Sequence, residues 1–282
     1  MVSPLFAIRN GKEEQVAGTA FVIGEGYALT AYHVIADFVE KYEGIRDVNS
    51  HLNISFEMLM YLRFDGGETI LPIKVLRTWC SRSLDIAILA LGVPTDWADD
   101  HRWTVPTVAL VPPQVGTTVC AVGFANSTIS REPNNPTPTM EVHPRLAPGL
   151  VEEIYHLKRD SARMPFPSFQ TDARYDGGMS GGPIFNPDGH VCGVVCSSIP
   201  PETPGETHTS FGSSIWPIIG TLVDSLGPDV ATGDFYPALR LFESGVFQSK
   251  GLESVSISMA ENGQYTASIR YNGNSFDCPG AI

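Results

Sequence analysis

One short stretch limits what this chain can fold into. Residues 170–183 read QTDARYDGGMSGGP, which sets Ser180 among Gly177, Gly178, Gly181, Gly182 and Pro183. A serine hydroxyl is a weak nucleophile until a base takes its proton and donors stabilise the oxyanion it creates. Glycines serve the second need, because backbone without Cβ atoms can turn its N–H groups onto one point. The amides of Gly178 and Ser180 are the expected oxyanion hole. One such donor is typically worth ~3–4 kcal/mol of transition-state stabilisation. Taken alone, the stretch also reads as an ordinary glycine-rich turn between strands, so its partners upstream decide.

Two upstream segments supply them. GTAFVIGEGYALTAYHVI (18–35) is broken at Gly24-Glu25-Gly26 into two apolar strands, a hairpin signal, and the second delivers His33 at its end. A lone histidine in an apolar run is more often a satisfied core residue than a catalyst. SLDIAILAL (83–91) places Asp85 just before a continuous apolar run. A carboxylate there is costly unless paired, although a strand-capping aspartate is the plain alternative.

Together these segments resemble the trypsin/chymotrypsin-like serine proteases, and most closely their bacterial heat-shock (Deg-type) branch. The resemblance rests on Gln170-Thr171-Asp172-Ala173 leading into the serine loop, on TAYHVI around His33, and on the string DIAIL that begins at Asp85. It covers about residues 3–226 and implies a role for each group. Ser180 is the nucleophile, His33 the general base and then the general acid, and Asp85 holds the imidazole. The order His33, Asp85, Ser180 differs from those of subtilisin and the α/β-hydrolases. The implied fold is all-β, a double six-stranded β-barrel with a C-terminal helix and a small C-terminal β extension. His33 and Asp85 fall in the first barrel and Ser180 in the second, with the boundary near 92–117.

Alignment with that family puts the floor of the specificity pocket near Arg174, six residues before Ser180, with Tyr175, Ser198 and Gly212 in its walls. An arginine there repels Lys and Arg side chains by like charge, so trypsin-like specificity is not expected. Two readings stand: Arg174 faces the pocket and favours an acidic side chain, or it points away and leaves a small or apolar pocket. Met179 departs from the family. Secreted digestive members carry an aspartate there that pairs with a newly cut N-terminus, and methionine cannot. Control then falls to loops such as 126–169 or to a regulatory partner protein.

Composition narrows the setting. The 282 residues give ample core for one large or two modest domains. With 43% apolar and 17% charged residues the chain is globular and not disordered. No apolar run is long enough to span a bilayer, and the opening MVSPLFAIRNGKEEQ lacks a basic lead, so neither a membrane span nor a secretory leader is expected. A formal charge of −13 argues against a nucleic-acid partner. The five cysteines, Cys80, Cys120, Cys192, Cys196 and Cys278, read as reduced thiols of a cytoplasmic protein. On one strand Cys192 and Cys196 lie ~13 Å apart, too far for one metal ion or one disulfide.

The remaining elements follow in order. Residues 4–9, 54–64 and 70–79 read as strands, the last two joined by a turn at Asp65-Gly66-Gly67, and 37–53 as a short helix and loop. VGTTVCAVGFA (115–125) opens the second barrel, while LVEEIYHLKRD (150–160) fits strand or helix. PIFNPDGHVCGVVCSSI (183–199) reads as a hairpin, and by resemblance Cys196, Ser197 and Ser198 are the edge that pairs with substrate backbone. FGSSIWPIIGTLVDSL (211–226) gives a last strand and helix that close the protease domain near residue 226. In the extension, 227–282, PALRLFESGVF reads as a short helix and VSISMAENGQYTASIRY as a hairpin turning at Asn262-Gly263. It is too short for the peptide-binding domain usual in Deg-type proteases. It is either a β appendage packed on the protease body or a contact surface for a partner.

The expected activity is that of an intracellular serine endopeptidase acting on proteins or peptides through an acyl-enzyme, with no cofactor or metal. A bacterial defence or stress context fits such a restrained protease. The alternative is a protease-fold binding or scaffold protein that keeps the three residues without assembling them.

Overall fold

The computed structural model describes residues 1–9, 13–43, 54–64, 67–92, 104–130, 139–201, 203, 207–224, 235–259, 261 and 265–279. The first barrel contains β1 (Val2–Arg9), β2 (Glu13–Gly24), β3 (Tyr27–Thr30), β4 (Ile54–Phe64), β5 (Gly67–Ser81) and β6 (Ile86–Leu91), with α1 (Tyr32–Glu43) between β3 and β4. Period-two alternation builds it. In β4, Ile54, Phe56, Met58 and Met60 are buried while Ser55 is exposed. The strands close in the order β1-β2-β3-β6-β5-β4, antiparallel at every step.

The next part of the chain supplies β7 (Val108–Ala109), β8 (Thr118–Phe124), β9 (Thr128–Ser130), β10 (Thr139–Glu141), β11 (Pro144–Tyr155), β12 (Ser168–Thr171), β13 (Pro183–Phe185), β14 (Val191–Ile199) and β15 (Thr209–Ser214). Six of these run in the order β13-β8-β11-β12-β15-β14, and a β13–β14 pairing closes them into the second barrel. The stretch 150–155, open between strand and helix on its pattern, is the end of β11. The fold is thus mostly β, the expected double six-stranded barrel.

The C-terminal part holds β16 (Leu222–Asp224), β17 (Phe235–Pro237), α2 (Leu239–Glu243), β18 (Ser249–Lys250), β19 (Val255–Met259), β20 (Tyr265–Tyr271) and β21 (Asn274–Pro279). The helix expected to end the stretch 211–226 is a five-residue 3₁₀ turn, Trp216–Gly220, with Pro217 at its start. It stops because Thr221 is already extended and the next residues pair as β16 with β17, a partner that local periodicity cannot reveal. The expected hairpin at 255–271 is present as β19–β20, and β21 adds a third strand. Its turn residues Asn262 and Gly263, like Asp65 and Gly66 of the β4–β5 turn, lie outside the described residues.

This C-terminal part is tied to both barrels. Trp216, Leu241, Phe242, Phe247, Ala267 and Ile269 share one continuous core with the first barrel. The Phe247 ring meets Tyr27 of β3 edge-on at 5.3 Å. Asp224 pairs with Arg77 of β5 and accepts the Trp79 Nε1 hydrogen at 3.1 Å. On the other side β18 runs parallel to β7, which in turn pairs with β14 of the second barrel. Among the described residues, no helix is long and apolar enough to cross a membrane.

Candidate active site

The sequence places His33 at the end of a strand, but β3 stops at Thr30 and α1 begins at Tyr32. His33 therefore sits in the first turn of a helix that buries Val34, Ile35 and Val39. The first N–H groups of a helix have no partner within it. Asp85 satisfies one of them: its Oδ1 accepts the His33 backbone N–H at 3.1 Å. The same carboxylate holds the ring, with His33 Nδ1 3.0 Å from both Oδ1 and Oδ2. Asp85 reaches this position from the turn before β6 with φ +50°, a left-handed conformation that aspartate tolerates better than most residues. Its backbone and side chain are buried.

This environment tunes the imidazole. Burial pulls the His33 pKa down, but the hydrogen bond and charge of Asp85, with the charge of Asp37, outweigh it and leave the pKa above 6.5. With Nδ1–H directed at Asp85, Nε2 is the nitrogen left to accept a proton.

The serine loop is delivered to the same seam by backbone contacts. Thr19 of β2 donates its N–H to the Ser180 carbonyl at 2.9 Å. Gly181 donates to the Val195 carbonyl of β14 at 2.8 Å and packs against Thr30 and Ala31, just ahead of α1. Gly178 adopts φ +92°, and a Cβ there would stand 2.5 Å from the Phe124 carbonyl, so only glycine fits. The Gly177 carbonyl is drawn aside by the Asn126 N–H at 2.7 Å. The Gly178 and Ser180 N–H groups have no acceptor among the described residues. The Ser180 hydroxyl likewise makes no hydrogen bond to His33 there, so His33 and Asp85 are joined while Ser180 is adjacent in the fold but unbonded.

Three residues take roles in the structure that the sequence did not give them. Thr19 Oγ1 donates to the Gly178 carbonyl at 2.8 Å and accepts the Phe124 N–H at 3.0 Å. One first-barrel residue thus holds the carbonyls of both candidate oxyanion residues. Cys196 lies buried beside Asp85; burial raises its thiol pKa and the Asp85 carboxylate raises it further, so the thiol stays protonated. Asp176 receives Arg174 Nε at 2.8 Å by hydrogen bond and lies 2.8 Å from Arg145 Nε of β11, an ion pair by distance without hydrogen-bond alignment. The departure at Met179 has a structural counterpart. Its side chain is fully buried over Gly123, where a Cβ would meet the Met179 Cα at 2.8 Å. Apolar packing therefore seats this part of the loop.

The expected pocket residues lie near one another, Ser210 Oγ linking Ser198 to the Ala173 carbonyl beside Arg174, but their side chains do not line one open pocket. Arg174 is exposed and directed to Asp176. Tyr175 is buried in the second-barrel core, its hydroxyl unpartnered and its pKa raised by burial. Ser198 Oγ lies 2.8 Å from Ser210 Oγ, and Gly212 packs against Phe169 and Ile184 inside β15. The open space by His33 and Asp85 is elsewhere: a hollow of ≈ 570 Å³ between the Arg82 turn, the 161–166 loop and the Cys196–Ser197 edge.

Two six-stranded barrels meeting over a histidine–aspartate pair and a glycine-framed serine define the chymotrypsin-like peptidase architecture. The chain belongs to the trypsin-like peptidase domain family, whose model matches residues 18–194. No curated protein sequence matches it. Among solved structures it is similar to the Rv3671c protease from M. tuberculosis in its active form, at 18% identity over 76% of this chain and 75% of that one, with TM-score 0.48. It is also similar to Deg5, at 21% identity over 76% and 83% with TM-score 0.47. A third is the MamO protease domain from Magnetospirillum magneticum in its apo form, at 19% identity over 79% and 96% with TM-score 0.46.

Proposed function

We propose that this protein is a serine endopeptidase that cleaves peptide bonds through an acyl-enzyme. The observation that carries the reading is the His33 Nδ1–Asp85 contact at 3.0 Å, which leaves Nε2 free to accept a proton. Ser180 Oγ attacks the scissile carbonyl, and its proton passes to His33 Nε2. Asp85 fixes the ring and offsets the charge of the imidazolium. The Gly178 and Ser180 N–H groups stabilise the oxyanion, a term usually among the largest in such catalysis. His33 then returns its proton to the leaving amine, and water repeats the sequence to free the acid. No cofactor takes part. The five free cysteines support a reducing, cytoplasmic setting. In that setting a restraining partner protein, in a defence or stress system, is part of the proposal.

The unbonded Ser180 hydroxyl favours one rival, a binding protein with a protease fold. Fluorophosphonate labelling separates the two. Wild-type protein is expected to label, while Ser180→Ala and His33→Ala do not. A wild type that stays unlabelled both purified and in lysate would overturn the peptidase reading.

A further inference from the structure

The hollow beside His33 is lined by two arginines in a chain whose net charge is −13. Arg82 sits on the turn between β5 and β6, three residues before Asp85. That turn is fixed by the Leu84 N–H on the Ser81 carbonyl at 3.2 Å and by burial of Leu84. Arg163 faces it from the 161–166 loop. Met164 and Phe166 pin that loop against Cys196 and Phe211. Asp160 Oδ1 ties down its start by accepting the N–H groups of Ala162 at 2.9 Å and Arg163 at 2.6 Å. Both guanidinium groups are therefore carried on anchored backbone, and both side chains are exposed. Among the described residues neither is in an ion pair, in contrast to Arg145, Arg159 and Arg174.

Asp85 is committed to His33, and Asp160 to its own loop. Asp37 and Glu40 on α1 add negative charge near His33 and Tyr32, but neither forms an ion pair with Arg82 or Arg163 among the described residues. The volume is within the ~300–1,000 Å³ usual for ligand clefts. Tyr32 and Phe166 supply apolar walls, and Ser197 adjoins the edge expected to pair with substrate backbone. Guanidinium donors on anchored loops around one hollow suit a carboxylate.

We propose that this hollow is a subsite for an acidic side chain of the substrate, an aspartate or glutamate within a few residues of the scissile bond, held by Arg82 and Arg163. The assignment rests on the peptidase reading for its orientation to the cut. It also moves acidic selectivity away from Arg174, whose guanidinium is engaged by Asp176.

The test uses full-length Ser180→Ala protein and fluorescent peptides paired as Glu against Gln and Asp against Asn at each position, read by anisotropy. The acidic member is expected to bind about three- to tenfold tighter at one position, less so at high salt. Arg82→Gln and Arg163→Gln should each shrink that ratio, their double variant should abolish it, and Arg→Lys replacements should keep part of it. Unchanged thermal unfolding excludes misfolding as the cause. Equal binding of acid and amide, no binding of any acidic peptide, or a preference that survives loss of both arginines overturns the proposal. Labelling of Ser180 is scored separately. Labelling without acidic preference sinks the subsite alone, and acidic preference without labelling sinks the peptidase reading alone.

Discussion

At the scale of single residues, the pKa of His33 makes a signed prediction. On the proposed mechanism its base form is the active one, and Asp85 holds its pKa above the ordinary histidine range, so kcat/KM should rise with pH through a midpoint on the high side of that range. Asp85→Asn removes the hydrogen bond and charge that oppose burial, so the midpoint should move down and kcat should fall about 10⁴-fold. A pH–rate profile on both proteins checks this, and a midpoint unmoved by the substitution would contradict it. His33, Asp85 and Ser180 stand out in the sequence because each lies in a short, locally distinctive string. Thr19 does not, and Cys196 reads only as part of an edge strand. Thr19 acts on a carbonyl 159 residues away, and the place of Cys196 beside Asp85 depends on a turn remote in sequence. The specificity residues were placed by alignment alone, which fixes a position along the chain but not the direction of an exposed guanidinium such as Arg174.

At the scale of elements, β2 and the serine loop behave as one unit. Thr19→Val keeps the shape but deletes the hydroxyl, leaving the Gly178 carbonyl and the Phe124 N–H without their partner. Each unpaired group costs ~1–3 kcal/mol. If the proposed oxyanion donors act mainly in the transition state, kcat should fall about 10²-fold with KM little changed. Equal kcat in Thr19→Val and wild type, each assayed well below its own unfolding midpoint, would indicate that the hydroxyl serves stability alone. Thr19→Ser, which restores the hydroxyl, should recover most of the rate. The strands were readable wherever apolar residues alternate, as in β4. The start of α1 was not, because Val34 and Ile35 suit a strand as well as a helix and the N-terminal partner of the helix, Asp85, comes 52 residues later than His33. The 3₁₀ turn at Trp216–Gly220 was misread in length for a related reason: β17, which ends it, is remote in sequence.

At the scale of the whole molecule, the segment after residue 226 contributes to the first core through Phe242 and Phe247 and to the second barrel's sheet through β18. Truncation after residue 226 should therefore yield protein that unfolds at lower denaturant or aggregates, and that labels poorly with fluorophosphonate. Comparison of soluble yield, unfolding midpoint and labelling with the full chain checks this, and a truncated form of equal stability and reactivity would refute it. Composition alone could not anticipate this merging of parts, since a short tail of alternating strands reads the same whether it is independent or embedded.

The parallel register of β18 on β7 also sets a timetable. Synthesis runs from the N-terminus at ~5–20 residues per second, so His33, Asp85 and Ser180 all leave the ribosome while β7 still has an open edge. Ser249 and Lys250 can cover that edge only after some seventy further residues beyond Ser180 have followed, roughly several seconds of synthesis. A hydrolase born among other unfinished polypeptides thus spends that interval without its outermost strand.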